Sequence, residues 1–189
     1  MRRHSVRTGL LLAGLLPVSF IAGAAGVAGP AARGDVLIDD TGVHPESVTS
    51  TRAGDLFTGS VKGIIYRARA GETTARAFIR PDAANGLGLN PVAVGDGKVY
   101  VSAPAYFGNT GLYAYDAGTG APLWNKGYSD LFSVNPPAYG HGRVYLQTGK
   151  GTSSSQPLLR AYDATTGQVA FESVFGAQWE NYQAPTILN

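Results

Sequence analysis

Two stretches of the chain are copies of one pattern, and this constrains the fold more than any other feature. Ala114-Tyr115-Asp116-Ala117-Gly118-Thr119-Gly120-Ala121-Pro122-Leu123-Trp124 and Ala161-Tyr162-Asp163-Ala164-Thr165-Thr166-Gly167-Gln168-Val169-Ala170-Phe171 both fit A-x-D-x-x-T-G-x-x-x-(W/F), 47 residues apart. Upstream of each lies a second matched pair, Gly97-Lys98-Val99-Tyr100-Val101 and Gly142-Arg143-Val144-Tyr145-Leu146, 45 residues apart. Each of these follows a proline-led apolar segment, Asn90 to Val94 and Asn135 to Tyr139. The difference in spacing falls in the polar stretch Gly149 to Pro157, where extra loop residues cost little entropy. A degenerate earlier copy runs through Gly54-Asp55-Leu56-Phe57-Thr58 and Ala68 to Phe78, keeping the leading alanine, a threonine and the final aromatic. A further copy opens at Ala184-Pro185-Thr186-Ile187.

Each copy reads as four short strands. In the clearest one they are expected near Pro91–Gly95, Lys98–Ala103, Gly111–Tyr115 and Ala121–Lys126, where Val, Tyr, Leu and Trp suit a pleated, half-buried surface. Asp96-Gly97 is a tight hairpin signal. In Asp116 to Gly120 the Asp can bond local backbone N–H groups and the Gly can take positive φ. No stretch after residue 33 keeps a helical period. Four strands recurring about every 45 residues are the signature of a β-propeller blade. The expected fold is all-β: an incomplete propeller of four-stranded antiparallel blades at about 44–80, 90–127 and 136–173, with the first strand of another at 184–189. Because the sequence stops inside a motif, it reads as truncated. A natural chain of this length would be expected to self-associate, since an open arc exposes blade faces and strand edges. Asp35 to Asp39 is expected to be the strand that completes the last blade of a whole ring.

Residues 1–32 read as an export leader and spacer. Arg2, Arg3 and Arg7 are followed by 25 residues without charge, centred on Leu10 to Leu16, then by small residues including Ala22-Gly23-Ala24. The Gly/Ala-rich stretch after Phe20 favours a cleaved signal over a permanent anchor, so no stable membrane insertion is expected after cleavage. Removing the three arginines turns a formal charge of +2 into 12 basic against 13 acidic residues. The exported part is then nearly neutral, and no basic run points to nucleic acid. The surplus of arginine over lysine, with abundant Ala and Gly, suggests a bacterial source. The expected location is periplasmic or extracellular.

The A-x-D-x-x-T-G-x-x-x-W pattern resembles the tryptophan-docking repeat of the PQQ-like β-propellers, which include quinoprotein alcohol dehydrogenases and non-enzymatic outer-membrane assembly lipoproteins. The resemblance implies structural roles for Ala114, Asp116, Thr119, Gly120, Trp124, Ala161, Asp163, Thr166, Gly167 and Phe171. The terminal aromatic would stack between blades, and the Asp and Thr-Gly would close the outer turn. The first copy, His44-Pro45-Glu46-Ser47-Val48 onward, also resembles the opening blade of gluconolactonase/senescence-marker propellers. That likeness implies Glu46 as a ligand for a divalent metal such as calcium.

Several functions lack their residues. With no cysteine there is no disulfide framework, thiol nucleophile or Cys-ligated metal. There is also no lipid-modified Cys in this sequence, and no vicinal disulfide of the kind quinoprotein dehydrogenases place over PQQ. PQQ binding is therefore not expected, and no other cofactor is assured. His4, His44 and His141 have no metal-ligand spacing, and no nucleophile elbow or phosphate loop occurs. The inter-blade connections remain as a possible surface for an unknown protein or small-molecule ligand: Tyr106, Phe107, Tyr128, Phe132, Trp179 and Tyr182. The reading is a non-catalytic scaffold or binding module. Its alternative is the N-terminal part of a propeller enzyme, a metal-dependent lactone hydrolase or a quinoprotein-type oxidoreductase, and the sequence does not decide whether the protein is an enzyme.

Overall fold

A computed structural model of the chain describes residues 34–80, 91–103, 110–128, 134–148, 157–174 and 184–188. The leader, residues 1–32, lies outside them. Among the described residues every regular element is a strand, and they form three sheets. The first blade is β2 (Pro45–Ser50), β3 (Leu56–Ser60), β4 (Ile65–Ala68) and β5 (Thr74–Ile79), preceded by β1 (Leu37–Ile38). The second is β6 (Val92–Gly95), β7 (Lys98–Ala103), β8 (Gly111–Asp116) and β9 (Pro122–Gly127). The third is β10 (Ala138–Gly140), β11 (Arg143–Thr148), β12 (Leu158–Asp163) and β13 (Val169–Val174). Strands 2–5, 6–9 and 10–13 are antiparallel meanders in chain order. The architecture is all-β and that of a propeller, with three blades among the described residues.

The sequence explains the meander. Asp96 and Gly97 both take positive φ, 51° and 68°, and join β6 to β7 with Gly95 opposite Lys98. His141 and Gly142 do the same in blade three, at 52° and 72°. Such a two-residue turn matches the twist of the strands it joins. Along β7 and β8 both faces are buried, which is why Val99, Tyr100, Val101, Leu112, Tyr113, Ala114 and Tyr115 form near-continuous apolar runs. One face packs on blade one through Phe57, Ile65 and Ile79. The other packs on blade three through Val144, Leu146 and Tyr162.

Two segments lie outside these meanders. Leu37 and Ile38 pair in parallel with Thr74 and Ala75 of β5, so β1 is a fifth strand on the first blade itself. Residues 39–44 then lead from β1 at one edge of the sheet to β2 at the other. Residues 184–188, where a further strand was expected, form no ladder among the described residues. Ile187 nonetheless lies over Gly140, and a Cβ there would stand 2.5 Å from its Cγ2.

The same close approach recurs one blade earlier. A Cβ at Gly95 would fall inside the ring of Tyr139, which stacks on Tyr100 at 5.7 Å and 8°. Gly95→Ala should therefore cost about 1–3 kcal/mol in thermal or urea unfolding. Gly127→Ala, with open space at its Cβ, should change stability by no more than about 0.5 kcal/mol.

The segment after β1 carries a titratable clamp. Asp40 accepts hydrogen bonds from Lys62 Nζ (2.8 Å), the Tyr66 hydroxyl and Thr41 N (2.7 Å). These donors, Lys62 first, lower its carboxyl from 3.8 to about 2. A folded-state value below the unfolded one stabilises above the unfolded value and is lost as pH falls. Acidification from about pH 4 to pH 2 should loosen this clamp, and Asp40→Asn should remove that part of the acid-induced loss in a denaturation series.

Candidate functional site

The repeated motif builds the junction between blades. Asp116 Oδ1 accepts from Gly118 N (3.0 Å), Thr119 N (2.7 Å) and Thr119 Oγ1 (2.8 Å). Asp163 Oδ1 accepts from Thr165 N (3.0 Å), Thr166 N (2.8 Å) and Thr166 Oγ1 (3.0 Å). The threonine oxygens then accept from Ala121 N and Gln168 N. Gly120 and Gly167 close the turns at φ 77° and 69°, where a side chain would be strained. The donors lower both carboxyls, Thr119 Oγ1 foremost at Asp116 and Thr166 N foremost at Asp163. Ala114 faces Trp124 across the ladder and Ala161 faces Phe171, each beside a register shift. A small residue there leaves room for the ring.

Trp124 reaches into blade three. Its Nε1 donates to Ala164 O at 3.2 Å, and a Cβ at Gly167 would stand 2.7 Å from its Cδ2. Tyr100 lies 6.0 Å from the indole and donates to the same carbonyl at 3.4 Å. Phe78 takes the corresponding place in blade one: a Cβ at Gly120 would stand 3.3 Å from its carbonyl and 3.5 Å from its Cζ. Phe171, on the last strand described, remains 38 % exposed and contacts only Tyr145 among the described aromatic rings, at 6.2 Å.

The first junction has a part the sequence reading missed. Arg67 pairs with Asp55, donates to Gly118 O at 3.1 Å and lies over Phe78 and Phe57, 5.0 and 5.5 Å from their centroids. Burial alone would raise the Asp55 carboxyl, but Arg67 and Ala70 N lower it on balance. In this degenerate copy, an arginine tethers the turn of the next blade where the following copy uses the indole N–H of Trp124. Arg67 stands opposite Phe57 in the ladder, and Asp55 just precedes β3, a pairing without a counterpart in the other copies.

The two ends of the array differ in kind. At one end the hairpin turn and the outer turn of each blade sit side by side: Ala117 N donates to Gly97 O at 2.8 Å and Ala164 N to Gly142 O at 3.0 Å. At the other end lie the strand termini that lead into the longer connections. Tyr128 N donates to Thr110 O (2.8 Å), Ser102 N to Pro91 O (3.1 Å) and Asn135 N to Gln147 O (3.0 Å), and Val134 bridges Thr148. Tyr128 belongs to this second end. Its hydroxyl meets that of Tyr162, and the Arg160 guanidinium covers its ring at 5.0 Å. Arg160 Nε in turn lies 3.4 Å from Glu172 Oε1. Burial raises the Tyr128 phenol well above its ordinary value, helped by Tyr162. Tyr128 thus fixes the start of the connection between blades two and three. Tyr106, Phe107, Phe132, Trp179 and Tyr182 lie outside the described residues.

Glu46 is exposed on β2, the innermost strand of blade one, within a register shift between Pro45 and Val48. Among the described residues no three His, Asp or Glu side chains converge, so no carboxylate cluster surrounds Glu46 there. The neighbouring Ser47 instead links blades, its Oγ accepting from Val92 N at 2.9 Å.

Residues 58–188 match the PQQ_2 family model, described as outer membrane protein assembly factor BamB. The chain belongs to this PQQ-like propeller family. No curated protein matches it. Among solved structures it is similar to BamB from Moraxella catarrhalis, at 18 % identity and a TM-score of 0.50 over 68 % of this chain and 36 % of that one. It is also similar to quinohemoprotein alcohol dehydrogenase from Comamonas testosteroni, at 20 % and 0.52 over 69 % and 21 %. A third likeness is to Kuenenia stuttgartiensis hydrazine synthase, at 14 % and 0.54 over 70 % and 37 %. The chain therefore spans between 21 % and 37 % of the length of these three structures, and at such identities the likeness concerns the fold.

The junction geometry gives a double-mutant test. Trp124→Ala should cost about 3–5 kcal/mol, whereas Trp124→Phe should cost nearer 1 kcal/mol for the lost N–H donor. Gly167→Ala should destabilise through both its positive φ and its contact with the indole. In the Trp124→Ala background its cost should fall, leaving the backbone part alone. Additive costs in urea unfolding would show that the ring and the turn do not touch.

Proposed function

We propose that this chain is part of an exported, non-catalytic PQQ-like propeller module that binds a protein or small-molecule partner at the end bearing its long connections. The observation that carries the reading is the asymmetry of the array. One end is closed by short turns whose polar groups satisfy one another. The other gathers every connection long enough to offer a variable surface, and loops on a rigid scaffold are where binding residues concentrate. Tyr128, held by Tyr162 and Arg160, anchors one of those connections. The sequence of those connections adds the aromatics Tyr106, Phe107, Phe132, Trp179 and Tyr182, residue types enriched at interfaces. The family description as an assembly factor favours a protein partner. Export is supported by the leader pattern and the near-neutral remainder.

The enzyme alternative has less support. A lactone hydrolase needs oxygen ligands around Glu46, and a quinoprotein oxidoreductase of the resembled type needs a cysteine pair that this sequence lacks. Titration calorimetry with calcium chloride and with PQQ should show no saturable heat, and a saturable signal with either would overturn the non-catalytic reading. Trp179→Ala with Tyr182→Ala should leave the melting temperature within a few degrees, as expected for a surface. Loss of folding would assign these rings to packing instead. N-terminal sequencing of the secreted protein should find a start between residues 25 and 33.

A further inference from the structure

Charge is not spread evenly over the blades. Residues 45–80 hold six basic and three acidic side chains, 91–127 hold two of each, and 136–174 hold three and two. Three of the basic residues of blade one, Arg52, Arg67 and Arg69, come together at its turn end. Arg52 lies in the turn that Gly54 N closes on Thr51 O at 2.9 Å. Arg69 follows β4, whose last residue, Ala68, faces Leu56 at the start of β3. Asp55 sits at the centre of this tip. It pairs with Arg67, accepts from Ala70 N at 2.9 Å, and lies close enough to Arg69 for that charge to act on it. Arg76 stands opposite Arg67 in the ladder.

We propose that this tip binds a short acidic segment of a partner protein through Arg52 and Arg69, with Arg76 beside them. The surface lies at the opposite end from the long connections and does not rest on the role given to those. Three observations support it. First, Arg52 and Arg69 are exposed, and neither forms an ion pair among the described residues. The acids of the tip are already engaged, Asp55 by Arg67 and Ala70 N, and Glu72 Oε2 by Arg69 N at 2.9 Å. Arg76 comes no nearer to Asp39 than 3.8 Å. Second, the base of the tip is fixed. Arg67 is held by Asp55, by Gly118 O and by the rings of Phe57 and Phe78, so binding has less order to impose. Third, the outer turns of blades two and three carry Asp116 and Asp163, whereas Ala70 stands at that place in the first copy. The carboxylate that the other two turns present is missing from this one. Guanidinium forks match carboxylates in a two-pronged fit. A long polyanion would run from this tip onto Asp96 and Asp116 at the same end of blade two, which has no net charge, so a short acidic stretch fits better than a nucleic acid.

The test uses the full chain and a fluorescein-labelled oligoglutamate peptide, read by fluorescence anisotropy. Binding should saturate, and it should weaken about 10-fold as sodium chloride rises from about 20 to about 200 mM, because exposed charges are screened. Arg52→Glu with Arg69→Glu should weaken it at least as much at an unchanged melting temperature. Arg52→Gln with Arg69→Gln should give a smaller loss, and it keeps the test open if the Glu variant fails to fold. Arg143→Glu, exposed on blade three, should leave binding as it is. Absence of saturable binding, an equal loss in Arg143→Glu, full affinity in a folded double variant, or tighter binding of single-stranded DNA of equal charge would each overturn the proposal.

Discussion

The structure depends on one contact repeated along the chain: an aromatic ring from the outer strand of one blade seated on the turn glycine of the next. Phe78 meets Gly120 and Trp124 meets Gly167. A flat four-stranded sheet cannot bury both faces alone, so the ring, worth ~150–250 Å² of contact surface, supplies what a single blade lacks. The turn must be rigid to receive it. Asp116 and Asp163 provide that rigidity by collecting three donors on one oxygen each. The motif joins two requirements, a closed turn to receive one ring and an aromatic to enter the next turn.

Near the innermost strands a second series works on the same principle with different partners. Gly95 admits Tyr139, and Gly140 admits Ile187. Ser47 bonds the backbone of Val92. The blades are thus tied along two lines, one through the outer turns and one through the first strands. Tyr100 links both, since it stacks on Tyr139 and bonds the carbonyl that Trp124 also uses.

Much of this was legible in the sequence because the repeat shows it twice. Lys98–Ala103 was read as it stands, and β8 and β9 differ from the reading by one residue at their ends. The turn chemistry followed from Asp and Gly at fixed offsets. What was not legible lies in contacts without a repeated counterpart. Arg67 and Asp55 occur in the one copy that lost the motif, so comparison between copies could not reveal them. The cluster of Tyr128, Tyr162 and Arg160 brings together residues more than 30 apart in sequence, and Arg160 stands where the preceding copy has Tyr113. β1 spans two residues, too short for alternation to register. Glu46 was singled out by likeness alone, and its acidic neighbours could be checked only in three dimensions.

The direction of the ring-to-turn contact has a consequence for how damage spreads. Blade one gives Phe78 to the turn of blade two, and blade two gives Trp124 to the turn of blade three, so the dependence between neighbours is not symmetric. A lesion in the Asp163 turn would first unseat Trp124, an outer-strand residue of the blade before it, while the ladder of its own blade keeps all of its cross-strand bonds. Fraying should therefore run backward along the chain, against the order in which the ribosome makes it. During synthesis each blade would wait for the turn of its successor before its outer strand is fully held. The most recently made blade is then always the least secure, whatever its own sequence.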